Sequence, residues 1–219
     1  MHLTLANRQR SLRVDPAALR LLATALYALA SHAEKKPRAR GRVPTPPQDA
    51  STPASSAPPA TSAPPAPPRI KDYEEIRLTL CGDAEISRIH QAVFDDPETT
   101  DVITIPYAAT PAEPASAEIF VNAALALRIA ASEMRQQSDA NAADNANTDN
   151  AADDANTDNA AANANAAAAE LALYIAHGFD HLAGYDDHSA RGYDAMRRRE
   201  LSWLDACEKQ GILNTLRKK

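Results

Sequence analysis

Two histidines four residues apart mark the part of this sequence that can do metal chemistry. His177 and His181 stand at the end of an alanine-rich run, and on a helix residues i and i+4 lie on one face. Two imidazoles placed in this way can hold one metal ion. Gly184 can end the helix, so that Asp187 or His188 reaches back as a third ligand. Three protein ligands and one open position for water form a catalytic zinc site.

This arrangement predicts hydrolysis by a water molecule that a bound zinc ion has acidified. We predict His177, His181 and His188 (or Asp187) as the metal ligands, with His177 and His181 as the catalytic residues. Imidazole is the commoner third ligand and favours His188, but a carboxylate also binds zinc, so Asp187 remains open. The alternative without a metal is one buried histidine and one exposed histidine.

A zinc metallopeptidase is a second functional hypothesis for the same pair of histidines. Peptidases of the HExxH type place a glutamate directly after the first histidine, where it acts as general base. This sequence has Gly178 at that position. The peptidase hypothesis therefore lacks its base.

The elements that must position these residues alternate early in the chain and become helical late. Apolar alternation predicts the strands, and apolar residues at helical spacing predict the helices. Together they indicate an α+β fold, a small mixed β-sheet of about four strands packed with about five helices, with the zinc site on a late helix. The predicted strands cover residues 3–5, 76–80, 100–106 and 118–122, and the predicted helices cover 16–29, 83–93, 123–137, 167–182 and 189–207.

Two segments of low complexity interrupt the predicted domain. Residues 37–68 hold 11 of the 16 prolines of the chain, a composition that favours disorder. Residues 139–166 contain only alanine, asparagine, aspartate and threonine, with a short internal repeat, and we interpret them as an insertion. We predict a single domain over residues 1–219 that these two segments interrupt.

Charge, cysteine content and hydropathy limit the partners and the location that can be expected for the protein. The net charge of −6 is matched by six aspartates within 139–166, so the rest of the chain is close to neutral and acidity does not exclude an RNA partner. Cys81 and Cys207 are far apart and are expected to be buried apolar residues. The longest apolar run, 17–30, is shorter than the ~20 residues that a membrane span needs. The sequence predicts a soluble, cytoplasmic protein.

The motifs of this sequence resemble those of a known family, the YbeY endoribonucleases. The stretch HGFDHLAGYDDH over residues 177–188 resembles the family signature HGxLHLxGYDH. Residues 99–107, TTDVITIPY, are similar to the family's PTDVLSFPY, and residues 118–121 are similar to its GDIxI strand. The resemblance covers the chain outside the two low-complexity segments.

The resemblance implies a single-strand-specific, metal-dependent endoribonuclease with one Zn²⁺ ion. It implies a part in late-stage 70S ribosome quality control and in maturation of the 3′ end of small-subunit rRNA. The expected partners are the ribosomal RNA precursor and the ribosome or small subunit, with neither a membrane nor DNA.

Four positions depart from the family pattern. Asp187 aligns with the third histidine of the signature, and His188 follows one residue later. Asp180 replaces an apolar residue, where it either accepts a hydrogen bond from a ligand imidazole or points to solvent. Phe94 stands where the family often has an arginine, which leaves a non-catalytic ribosome-assembly factor with a structural metal as a third hypothesis. Residues 117–118, Ala-Glu, replace Gly-Asp.

Overall fold

The computed structural model describes residues 1–33, 68–144 and 155–217. The predicted linker 37–68 lies outside these residues except for Pro68, and so does the middle of the predicted insertion. The predicted α+β class is confirmed, and the elements follow the predicted order. The strands are β1 (His2–Asn7), β2 (Glu75–Cys81), β3 (Val102–Tyr107) and β4 (Ser116–Asn122), and the helices are α1 (Pro16–Ala33), α2 (Asp83–Phe94), α3 (Ala123–Asp144), α4 (Ala155–Leu182), α5 (Ala190–Lys209) and α6 (Ile212–Arg217).

The helices differ from the predictions at the low-complexity segment and at the end of the chain. Helix α3 continues to Asp144 and α4 begins at Ala155, so both flanks of the predicted insertion are helical. Alanine is the strongest helix former, which accounts for the extension. Helix α6 was not predicted because its apolar residues are too few to show a period.

The sheet is mixed, with the strand order β1-β2-β4-β3. Strands β1, β2 and β4 are parallel, and β3 runs antiparallel to β4 at the edge of the sheet. Pro106 near the end of β3 is compatible with this position, because an edge strand has one side on which no backbone N–H is needed.

Helix α4 is the central helix of the core. It packs against β3 and β4 on the sheet and against α1, α3, α5 and α6. Leu171, Ile175 and Phe179, at successive turns of α4, are fully buried. Helix α2 covers the opposite face of the sheet, where Ile86 packs in a smaller cluster. The helix that carries both histidines is therefore held on several sides by apolar packing.

At Gly178, helix α4 lies directly against the sheet. A Cβ atom at this position would lie 2.6 Å from Ile119 Cγ2 and 3.1 Å from Val102 Cγ2. The Thr104 hydroxyl donates a hydrogen bond to the Gly178 carbonyl at 3.3 Å. The glycine thus has a structural reason, because any side chain here would push the histidine-bearing turn away from the sheet.

Both cysteines are buried and free, as the sequence predicts. None of the helices that the structure describes combines the length and the apolar character required to cross a membrane.

We predict that Gly178→Val lowers the free energy of unfolding by about 1–3 kcal/mol, because its methyl groups overpack the contact with Ile119 and Val102. Ala164→Val, at an exposed position of the same helix, is the control and should cost less than about 1 kcal/mol, the difference in helix propensity. Urea unfolding of both variants measures the difference. Equal stability of the two variants would contradict the close contact at Gly178.

Candidate metal centre

Three side-chain donors converge at the end of α4. The two imidazole Nε2 atoms of His177 and His181 lie 3.1 Å apart, and His177 Nε2 lies 3.5 Å from Asp187 Oδ2. The three donor atoms all lie within 4.8 Å of one another, and their side chains are half-buried. A tetrahedral zinc ion with Zn–N bonds of about 2.0–2.1 Å would set its donors about 3.3 Å apart. The observed separations therefore fit one shared ion.

Hydrogen bonds at the other ring nitrogens fix which lone pairs face the centre. His181 Nδ1 lies 3.1 Å from the carbonyl oxygen of Tyr185, which can only accept, so Nδ1 donates. His177 Nδ1 lies 2.6 Å from Glu200 Oε1 and donates to that carboxylate. In the neutral imidazoles both Nε2 lone pairs then face each other, which is unfavourable unless a cation or a proton lies between them. Two imidazoles and a carboxylate are a donor set that suits zinc or a similar ion.

Glu200 on α5 is a candidate functional residue that the sequence did not reveal. It is only 2% exposed, and its carboxylate holds the ring of His177 in place. A carboxylate behind a ligand histidine orients the ring and makes it a stronger ligand. The spacing of α5 could have indicated this residue, because Met196, Glu200 and Trp203 share the buried face of the helix. An acidic residue within an apolar helix face indicates a partner in the interior.

The two histidines are shifted in opposite directions by their surroundings. Burial disfavours the charged form of His177, but the hydrogen bond to Glu200 and the charge of its carboxylate outweigh burial and raise the pKa of His177. The pKa of His181 is lowered, first by burial and then by a charge on His177. A proton bound to this pair therefore resides on His177, and it must leave before a metal ion can use that nitrogen.

The structure brings Asp187, not His188, to the two histidines. Helix α4 ends at Leu182, and Gly184 adopts a φ of 90°, which confirms the predicted turn. The chain reverses there and carries Asp187 back to the centre. His188 is exposed and belongs to no group of three donors in the described part of the chain. The preference for His188 as third ligand is still a prediction, but the geometry favours its alternative.

Asp180, next to His181, forms a buried ion pair. Its side chain is fully buried, so the solvent-facing alternative is wrong. Its two carboxylate oxygens accept hydrogen bonds from Nε and Nη2 of Arg199, both at 2.7 Å. Burial raises the pKa of Asp180 to about 6, against the effect of the guanidinium. The hydrogen-bond partner of Asp180 is thus an arginine of α5 and not a ligand imidazole.

Arg199 connects this ion pair to the turn that carries Asp187. Its guanidinium carbon lies 3.5 Å from the centroid of the Tyr185 ring. The Tyr185 hydroxyl donates to the Ala33 carbonyl at 2.7 Å. Helices α1, α4 and α5 therefore meet at the turn, and its conformation is held from three sides.

The three donors open onto a cleft of about 880 Å³. Strand β3 forms one side of this cleft, the end of α2 forms a second and the turn after Gly184 forms a third. His90 and Phe94, from α2, line it together with the donors and with His188. Asp101, directly before β3, borders both this cleft and a smaller cavity beside His177. The volume falls within the usual range for ligand sites.

Comparison with known proteins places the chain in a family. The sequence pattern of the family described as Endoribonuclease YbeY matches residues 66–208. The chain belongs to the YbeY family. A relative from Chlamydia pneumoniae, named Endoribonuclease YbeY, is 28% identical over 145 residues, which cover 64% of this chain and 74% of the relative. The residues that match the YbeY family pattern, 66–208, include the three donors, Glu200 and every residue that lines the cleft.

Glu200→Gln should lower the pKa of His177 in the metal-free protein, because the carboxylate that stabilises its imidazolium is removed. At alkaline pH, where both imidazoles are neutral, zinc affinity should fall by about 10- to 100-fold. NMR titration of the histidine rings and zinc titration measure the two effects. Asp205→Asn removes an exposed charge from the same helix and should change neither quantity. An unchanged pKa of His177 in Glu200→Gln would refute the assigned hydrogen bond.

Arg199→Ala should lower the free energy of unfolding by about 3–5 kcal/mol, because it leaves the Asp180 carboxylate buried without its partner. The double variant Asp180→Leu with Arg199→Leu should be more stable than Arg199→Ala, since no buried charge remains. Arg198→Ala, at the exposed neighbouring position, should change stability by less than about 0.5 kcal/mol. Urea unfolding distinguishes the variants, and equal effects of Arg198→Ala and Arg199→Ala would contradict this account.

Proposed function

We propose that this protein is a single-strand-specific endoribonuclease that uses one zinc ion to hydrolyse phosphodiester bonds. The observation that carries the proposal is the convergence of His177, His181 and Asp187 in a member of an endoribonuclease family. The donor separations of 3.1 and 3.5 Å support a single ion. The open cleft beside the donors gives an extended strand access to them.

The residues of the chain have distinct tasks in this proposal. His177 and His181 present Nε2 to the ion, and Glu200 and the Tyr185 carbonyl hold the rings in that tautomer. Asp187 supplies the third donor and reduces the net charge of the centre. A zinc ion held by these residues would lower the pKa of a bound water molecule toward neutral pH and would stabilise negative charge on the phosphate. The half-buried position of the donors limits solvent around the reacting phosphate.

We propose a biological role in the maturation of the 3′ end of small-subunit rRNA and in late-stage 70S ribosome quality control. The partners would be precursor rRNA and the ribosome or its small subunit, in the cytoplasm. The support for this role is the family membership and the name of the Chlamydia pneumoniae relative, Endoribonuclease YbeY.

The peptidase hypothesis is weakened by the packing at Gly178. The 2.6 Å approach of Ile119 leaves no room for a side chain at this position, so the glutamate of an HExxH peptidase cannot be accommodated. The hypothesis of a non-catalytic assembly factor has one observation in its favour, the apolar Phe94 at the position where the family often has an arginine. Both alternatives predict zinc binding without cleavage of RNA.

We predict that purified wild-type protein binds one zinc ion and cleaves a single-stranded RNA oligonucleotide but not an RNA duplex. His177→Ala and Asp187→Ala should lose the bound zinc and at least about 100-fold in cleavage rate, because each removes a donor of the ion that activates water. His188→Ala, the matched control in the same turn, should keep both. Metal analysis and an RNA cleavage assay are performed on the same samples.

Three results would count against parts of this proposal. Loss of zinc in His188→Ala with retention in Asp187→Ala would restore His188 as the third ligand. Zinc binding without RNA cleavage in the wild type would favour the non-catalytic factor. Cleavage of RNA that survives complete removal of the metal would refute the metal-dependent mechanism.

A further inference from the structure

We propose that Phe94 is the stacking platform for an unpaired base of the RNA strand, beside the metal centre. The inference rests on the proposed function and adds to it how the strand is held. It is carried by the exposure of one aromatic ring and by the composition of the cleft that this ring borders.

The Phe94 side chain is exposed where an apolar residue has no structural reason to be. It is 57% exposed, and no large apolar side chain of the described residues is more exposed. It is the last residue of α2 and lines the same cleft as His177, His181 and Asp187. An exposed aromatic ring in a cleft next to a reactive centre is typical of a site that binds a flat, apolar ligand surface.

His90 precedes Phe94 by one helical turn and restricts the position of the ring. The two ring centroids lie 5.2 Å apart, at an interplanar angle of 55°. His90 also lines the cleft. The contact holds the phenyl ring at the border of the cleft before a ligand binds, which lowers the entropy that stacking would otherwise cost.

The described lining of the cleft lacks the basic side chains that usually bind the backbone of a nucleic acid strand. The cleft-lining residues described here include no lysine and no arginine, whereas Asp101, Asp186 and Asp187 are among them. These three carboxylates repel phosphate, and the proposed metal ion would be the positive group that attracts it. Proteins that bind single strands combine a basic groove with aromatic residues on which bases stack. Within the described lining, the exposed ring of Phe94 supplies the aromatic component of such a site.

Stacking also accounts for selection of single-stranded RNA. A base within a duplex has both faces covered by its neighbours, whereas a base in a single strand can turn one face to a protein ring. Stacking tolerates any base, because every base presents a π-face. The strand that fits this cleft thus carries one unpaired base on Phe94, in the same cleft as the phosphate that reaches the metal centre.

Binding of a single-stranded RNA oligonucleotide that contains 2-aminopurine tests the inference, with full-length, zinc-loaded protein in a stopped-flow instrument that records binding before cleavage. Stacking quenches the fluorescence of this base. Phe94→Leu, which keeps an apolar side chain but removes the ring, should raise Kd by about 5- to 100-fold and abolish the quenching. Phe94→Trp should retain both. Val93→Ala, which alters an exposed residue of the same helix that does not line the cleft, should leave both unchanged.

A second substrate separates stacking from general packing effects. An oligonucleotide with an abasic site in place of the stacked base should bind wild type and Phe94→Leu with the same Kd. Equal Kd values for the intact oligonucleotide would overturn the inference. A lower melting temperature of Phe94→Leu with unchanged RNA binding would also overturn it, because the ring would then serve the packing of the protein itself.

The outcomes for the two proposals are distinct. If zinc-loaded wild type cleaves RNA while Phe94→Leu binds as tightly as wild type, the stacking inference is wrong and the proposed function stands. If wild type neither binds nor cleaves RNA, the proposed function is wrong and the stacking inference falls with it.

Discussion

The candidate metal centre depends on two hydrogen bonds on the side of each imidazole that faces away from it. The carboxylate of Glu200 and the carbonyl of Tyr185 each accept from an Nδ1 atom, and they thereby direct both Nε2 lone pairs to one point. Without these acceptors each imidazole could turn or change tautomer, and two nearby histidines would be only a surface pair. Helix α4 can hold the rings still because Gly178 lets its turn lie directly on the sheet. The geometry of the candidate ligands thus depends on how α4 packs in the core.

The short turn after α4 is held in place by contacts with α1 and α5. Arg199 pairs with the fully buried Asp180 and stacks on Tyr185, whose hydroxyl reaches α1. A buried ion pair contributes little net stability compared with apolar residues of the same volume. Its value here is geometrical, because it sets the path of the segment that returns Asp187 to the centre.

The sequence allowed the fold class, the element order and the histidine pair to be predicted, because each depends on local spacing. Helical i, i+4 spacing determines that His177 and His181 share a face whatever surrounds them. The partners of these residues could not be predicted, because Glu200 and Arg199 come from another helix and meet α4 only through tertiary packing. The choice between Asp187 and His188 depends on the path of a turn, which adjacent residues in the sequence do not reveal. The exposure of Phe94 likewise follows from how the end of α2 meets the cleft.

X-ray absorption spectroscopy of the zinc-loaded protein tests the central claim most directly. The account predicts two imidazole nitrogens, one carboxylate oxygen and one solvent oxygen around a single ion, at about 2.0–2.2 Å. In Asp187→Ala the carboxylate contribution should disappear, whereas in His188→Ala the spectrum should not change. A first coordination sphere with three imidazoles, which loses one in His188→Ala, would contradict the account.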